Sequence, residues 1–206
     1  MERLKINMPD FDLDDKIKRI IGSPTPDNWN KTGLSREYYL DLMEIIVRNA
    51  ARWIDEDGAV IDPYYNKEWA QTTPRFVSSA SILLYFGRIP ELKVIVNRSM
   101  TYSCKWLASG QAESPDFWMR EIVTAYACLS KSADKELADE WRGTLANIAP
   151  EKINKVISID GSELGELHNW AIYGAAGESM RESAGIEPDD KTLLWGHKFF
   201  DKYIPA

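Results

Sequence analysis

The chain is poor in the residues that build metal centres and disulfide scaffolds. Its 206 residues include two cysteines, Cys104 and Cys128, and two histidines, His168 and His197. Both cysteines sit among apolar residues of helical spacing, so they read as buried free thiols rather than a disulfide framework. With so few thiols and imidazoles, a zinc site built from Cys and His is not expected, and neither a metal nor a cofactor is assigned. Basic charge is also short: 25 Lys and Arg stand against 32 Asp and Glu, for a net charge of -7. Phosphate binding needs a basic surface that releases counterions, so nucleic acid is not an expected partner. No apolar run is long enough to cross a bilayer, and no membrane partner is expected. The start, MERLKINMPDFDLDD, lacks the charged and then apolar layout of a secretory signal. A soluble, cytoplasmic protein is expected, although a secreted or periplasmic chain whose signal had been removed would read the same. Glycine-rich phosphate loops, a nucleophile elbow and metal-binding His pairs are missing too, which argues against nucleotide hydrolases, α/β-hydrolases and zincins.

What the chain does have is apolar and aromatic bulk. A hydrophobic content of 44% suffices for one sizeable core, and eight tryptophans with nine tyrosines are many for this length. Such rings fill cores, and they also offer flat faces on which sugars stack. They are not scattered. A polar and aromatic cluster returns about every fifty residues, as DPYYNKEWAQTTPRF from Asp62, SPDFWMRE from Ser114 and HNWAIYGAAGE from His168, with Trp69, Trp118 and Trp170 marking the beat. That period fits two helices plus their connections, so the chain reads as stacked helical hairpins with decorated ends in corresponding places.

The helices follow from three- and four-residue apolar spacing. Residues 1–34 carry a short pattern in Leu13, Ile17, Ile20 and Ile21 and then the breaker run GSPTPDNWNKTG, which predicts an arm packed on the main body. Ser35 is the expected N-cap of a helix through Tyr39, Leu42, Met43, Ile46, Ala50 and Trp53 that stops near Asp57 and Gly58. An irregular loop follows, with Asp62 held extended by Pro63. Thr73-Pro74 and Ser114-Pro115 are expected to open two inner helices, the first carrying the small run Ser78 to Ser81. A helix from about Pro90 stops at Gly110, another carries Leu137, Trp141, Leu145 and Ile148, a third inner helix begins near His168, and a last one spans residues 189–203. Almost nothing alternates over a strand length, so the expected fold is all-α. It divides into an arm over residues 1–34 and one helical-hairpin domain over 35–206.

The runs DGAVIDPYYNKEW and TTPRF, the Asp116 to Trp118 turn and HNWAIYGAAGE resemble the (α/α) toroid domains of carbohydrate-active enzymes, especially heparinase-like and alginate-lyase-like polysaccharide lyases. The resemblance covers residue 35 to the end and is one of architecture. It implies antiparallel helical hairpins in an incomplete (α/α) toroid, because a full ring needs more chain than this. The chain then reads as the N-terminal part of a larger protein, with its open edge closed either by the missing C-terminal part or by a second copy in a homo-oligomer.

The resemblance also implies an activity: β-elimination on an acidic poly- or oligosaccharide. Asn169 would neutralise the uronate carboxylate and His168 would take the α-proton, a task suited to a group that titrates near neutrality. Tyr64, Tyr65 or Tyr173 would protonate the leaving oxygen. Asp62, Tyr65, Glu68, Trp69, Arg75, Asp116, Trp118 and Trp170 are the expected substrate-binding residues, since a sugar site wants aromatic faces and an Arg fork that clamps a carboxylate. Blander readings stand beside these. His168 and Asn169 would merely cap a helix, the Asp62 to Trp69 loop would be tethered by its own rings, and the Asp116 turn would be solvated charge. Two alternatives remain open in function as well. A glycoside hydrolase on the same scaffold would need two facing carboxylates drawn from Asp62, Glu68, Asp116 and Glu121, with Glu178 too deep in its helix to be a first choice. A helical-repeat interaction module would need none.

Overall fold

The computed structural model describes residues 35–149, 152 and 169–186. Over them the chain is all-α apart from one small β-ladder. The arm over residues 1–34, His168, and the helix expected at 189–203 lie outside the described residues.

Helix α1 (Arg36–Ala50) starts as its sequence says: the Ser35 hydroxyl accepts the Tyr38 amide at 3.1 Å. It ends earlier than expected, at Ala50, and runs through a short 3₁₀ turn, Ala51–Trp53. The cause is Asp55, whose carboxylate accepts the amides of Asp57, Gly58 and Ala59 at 3.0, 2.8 and 2.8 Å and so folds the chain back on itself. Gly58 sits in this turn at φ 104°, and a Cβ there would lie 2.8 Å from the backbone carbonyl of Arg98. Only glycine permits that approach.

The buried face of α1 also differs from the expected one. Leu40 and Val47 are buried, with Met43 and Ala50 packed beside them, whereas Leu42, Ile46 and Trp53 are exposed. Two apolar stripes run along this helix at helical spacing, and only one meets the core.

The stretch expected as an irregular loop contains β1 (Ile61–Asp62) and β2 (Lys67–Glu68), antiparallel with Ile61 opposite Glu68 and Asp62 opposite Lys67. Two-residue strands are too short to show alternation. Helix α2 (Thr72–Tyr85) follows, then α3 (Lys93–Ser109) after the 3₁₀ turn Pro90–Leu92. Helix α4 (Trp118–Leu129) follows the 3₁₀ turn Pro115–Phe117, and α5 (Lys135–Ala146) and α6 (Asn169–Ser183) complete the described helices. As expected, α3 stops at Gly110, which is left-handed at φ 76° and returns its amide to the Leu107 carbonyl.

Helices α2 and α4 begin at one end and run side by side, and α6 packs against the head of α4. The indole N–H of Trp118, at the head of α4, donates to the Ala70 carbonyl just before α2, while Cys128 near its tail packs against Ile82 and Tyr85. The Phe117 ring lies 4.5 Å from that of Tyr173 near the head of α6, and Gly177 is so close to Met119 that a Cβ would meet its side chain at 2.9 Å. The small residues Ser78, Ala80 and Ser81 of α2 are buried and let neighbouring helices approach closely. Helix α4 is buried nearly all round, from Trp118 and Met119 through Ile122 and Val123 to Leu129.

Helices α1, α3 and α5 flank this row. Trp141 of α5 donates its indole N–H to the Thr101 hydroxyl of α3 at 2.8 Å, and Arg88 ties the turn before α3 to Glu44 at 3.2 Å and to Asp41 of α1. The apolar side chains of all six helices meet in one core that includes Val77, Leu83, Met100, Leu107, Trp118, Ile122 and Leu145.

Candidate functional site

The first polar cluster is organised by its own carboxylates. Asp62 accepts the amides of Tyr64 and Tyr65 at 2.8 and 3.0 Å, which closes the turn between β1 and β2 and puts Asn66 at φ 51°. Glu68 leaves β2 pointing at the head of α2, where its Oε1 accepts the Thr73 amide at 3.2 Å. The expected Thr73 N-cap is thus displaced. Helix α2 begins two residues earlier, with Gln71 at the N-cap position, its first-turn amide is met by Glu68, and the Thr73 hydroxyl instead accepts the Val60 amide at 3.0 Å. Burial pushes the Glu68 carboxyl above its ordinary range, opposed by the Thr73 amide and hydroxyl and assisted by the nearby charge of Glu113.

Above this turn stand the aromatics. Trp69 stacks on Tyr65 with ring centres 4.0 Å apart and planes 10° from parallel, and Tyr64 meets the Tyr65 ring edge-on at 4.9 Å. All three rings are exposed. The Lys67 ammonium lies 5.6 Å from the Trp69 ring centre and 3.5 Å from a Glu113 carboxylate oxygen, so the β-turn is tied to the chain leading into α4. Trp69 also borders a cavity of about 520 Å³. Its apolar wall is Ile46, Val47 and Ala50 of α1 with Phe76 of α2, and its polar groups are Gln71, Thr72, Arg75 and Ser79. Arg75 is exposed and is bonded to neither Glu68 nor Asp62. An aromatic wall, a cation and amide and hydroxyl groups in one concavity suit a polar ring compound that carries a carboxylate.

The second cluster is mostly structural. Trp118 is fully buried, and its indole N–H is shared by the Ala70 and Glu113 carbonyls at 3.1 Å each. It offers no face to a substrate; it holds the heads of α2 and α4 together. Asp116 is likewise buried. Arg120 pairs with Glu121, and its guanidinium lies 4.5 Å from the Tyr173 ring centre.

In the third cluster Asn169 is exposed at the head of α6 and Tyr173, one turn on, is half-buried between Phe117 and Arg120. Four residues apart on one helix, Asn169 and Tyr173 share a face. His168 and the side chain of Trp170 lie outside the described residues.

The structure therefore brings Tyr64, Tyr65, Trp69 and Arg75 into one exposed group and Asn169 with Tyr173 into another, the two joined through the heads of α2, α4 and α6. Asp62 and Glu68 act from beneath as braces. No family model, curated protein or solved structure matches this chain. No described helix is long and apolar enough to cross a membrane.

Two features escaped sequence reasoning. Glu178 and Arg181 form a fully buried ion pair, and the Arg181 guanidinium donates to the carbonyls of Leu145, Ala146 and Ile148 at 2.7, 3.1 and 3.3 Å. It serves as the C-terminal cap of α5 from a neighbouring helix. A Glu and an Arg three residues apart were the available signal. The position of the Arg120 guanidinium over the Tyr173 ring was the other.

Proposed function

We propose that the described helices are hairpins of an incomplete (α/α) toroid, and that the end where α2, α4 and α6 begin handles an acidic poly- or oligosaccharide by β-elimination. The observation that carries this reading is the sharing of one end by the three polar clusters. Trp118 bridges to Ala70 and Phe117 lies against Tyr173, so a chain-like ligand crossing that end meets the Tyr65–Trp69 stack and the Asn169–Tyr173 face in turn.

In this proposal Arg75 clamps a uronate carboxylate and the stacked rings carry a sugar face. Asn169 donates to the carboxylate of the reacting uronate, so negative charge that builds up as the neighbouring α-proton leaves is neutralised. His168 takes that proton. The electron pair forms a carbon–carbon double bond, the bond to the glycosidic oxygen breaks, and a tyrosine hydroxyl protonates the departing oxygen. Tyr173, beside Asn169 and held by Arg120, is better placed for this than Tyr64, which is at the outermost tip of the β-turn.

The carboxylate arrangement weighs against hydrolysis. Asp62 closes a turn, Glu68 caps α2, Asp116 is buried, Glu121 pairs with Arg120 and Glu178 with Arg181. A glycosidase needs two carboxylates free to face one glycosidic oxygen. The discriminating experiment is digestion of a panel of uronate polymers by the full chain, followed for both the ultraviolet absorbance of the unsaturated product and new reducing ends. The proposal expects both together and their loss in Asn169→Ala; reducing ends without absorbance would overturn it in favour of hydrolysis.

A further inference from the structure

The cavity beside Trp69 has two unlike sides. Gln71, Arg75 and Ser79 follow one another at four-residue steps from the N-cap of α2, so they share one side of that helix and line the cavity together. Among the described residues none of these three side chains has an ion pair or a hydrogen bond, whereas the Thr72 hydroxyl next to them is committed to the Trp69 carbonyl at 2.7 Å. The other side is apolar: Ile46, Val47 and Ala50 of α1, joined by the buried ring of Phe76. No Asp or Glu lines the cavity, although the chain carries a net charge of -7. Its volume of about 520 Å³ is that of a small-ligand site.

We propose that the uronate held in this cavity carries an apolar substituent, a methyl ether or an acyl group on a ring hydroxyl, which lies against Ile46, Val47 and Ala50 while the carboxylate pairs with Arg75. The inference rests on the saccharide reading and narrows its substrate class. A plain uronate bears hydroxyls all round its ring, and a hydroxyl turned to the α1 side gives up water without gaining a partner there. Capping that hydroxyl removes the unmet donor and adds apolar area to bury. The opposite departures fit worse. A neutral sugar leaves Arg75 without a counter-charge, and a plain fatty acid leaves Gln71 and Ser79 without hydrogen-bond partners. One charged edge, one hydroxylated edge and one apolar edge match the three kinds of surface that the cavity presents.

Calorimetric titration of the full chain with glucuronate, its mono-O-methyl ethers and cyclohexanecarboxylate tests it. The last probe keeps a carboxylate on a ring and removes every hydroxyl. At least one ether is expected to bind about threefold to fourfold more tightly than glucuronate, the gain from burying one methyl group. Ile46→Thr and Val47→Thr should erase that preference and leave glucuronate binding as it was, whereas Arg75→Gln should weaken all three probes together. Ile46 is exposed, so Ile46→Thr keeps the fold and supplies the answer even where Val47→Thr lowers the melting temperature. Equal affinity for glucuronate and every ether, or a preference that survives Ile46→Thr, overturns the inference and leaves the proposed function standing. Binding of cyclohexanecarboxylate through Arg75 with no uronate bound overturns both. If neither the ethers nor cyclohexanecarboxylate bind, the inference fails whatever the longer uronate polymers do.

Discussion

Arg181 and Glu178 meet at 2.8 Å in the interior, with 1% and 0% of their side chains exposed, and Arg181 reaches across from α6 to the last carbonyls of α5. This places a charge-assisted junction between two helices where the sequence offers only an i, i+3 pair. Arg181→Met removes both the cap and the counter-charge, leaving Glu178 buried without its cation. The expected cost is about 3–5 kcal/mol in chemical denaturation. The double variant Glu178→Gln with Arg181→Met should recover part of that loss, because the stranded charge is gone.

Glu68 gives a pH-dependent prediction. Its carboxyl is raised above the ordinary carboxylate range chiefly by burial, so the folded state holds the proton more tightly than the unfolded chain does. Its contribution to stability is therefore complete below the ordinary pKa of 4.5 and is lost as pH climbs through the raised folded value. Glu68→Gln, which keeps an oxygen for the Thr73 amide, should match or exceed the parent in stability at pH 7 by about 1 kcal/mol or less, and lose that advantage near pH 4. Thermal melts across this range decide the matter; a variant less stable at pH 7 than at pH 4, relative to the parent, would reverse the sign.

Gly58 is the backbone position least open to replacement. Its positive φ and its approach to Arg98 both exclude a Cβ, so Gly58→Ala should cost about 1–3 kcal/mol from strain. Gly143, on α5 with nothing near its Cβ position, is the internal comparison: Gly143→Ala should be neutral or stabilising by about 1 kcal/mol. Paired denaturant titrations separate the two.

The thiols should be silent in the folded chain. Burial lifts Cys128 to about 11 and Cys104 further, so thiolate is scarce at pH 8. A disulfide-exchange reagent should find no reactive thiol until denaturant is added and two afterwards.

How much of this was legible in advance can be seen helix by helix. Ser35, Gly110 and the small residues of α2 announce their roles because capping and close packing demand particular residue types. The choice between the two stripes of α1 was not legible: each has helical spacing, and only the tertiary partner decides which is buried. For the same reason Trp118 was misplaced. A tryptophan at a helix head serves equally as a stacking face or as a core side chain, and its indole N–H found two carbonyls on the chain itself. Asp62 and Glu68 were expected to bind substrate, and their task as turn and helix braces depends on distances of about one hydrogen bond, which spacing does not supply. The buried ion pair left no trace beyond its spacing, because its energetic weight lies in the carbonyls of another helix.

The central claim is that an acidic saccharide is held at the shared heads of α2, α4 and α6. Calorimetric titration of the full chain with a panel of uronate oligosaccharides, repeated for Trp69→Ala and Arg75→Ala, tests it most directly. Both residues are exposed, so the melting temperature should change little. The account predicts saturable binding of at least one uronate oligomer by the parent, weakened tenfold or more in each variant with folding intact. Absence of binding across the panel, or binding indifferent to both substitutions, would contradict it.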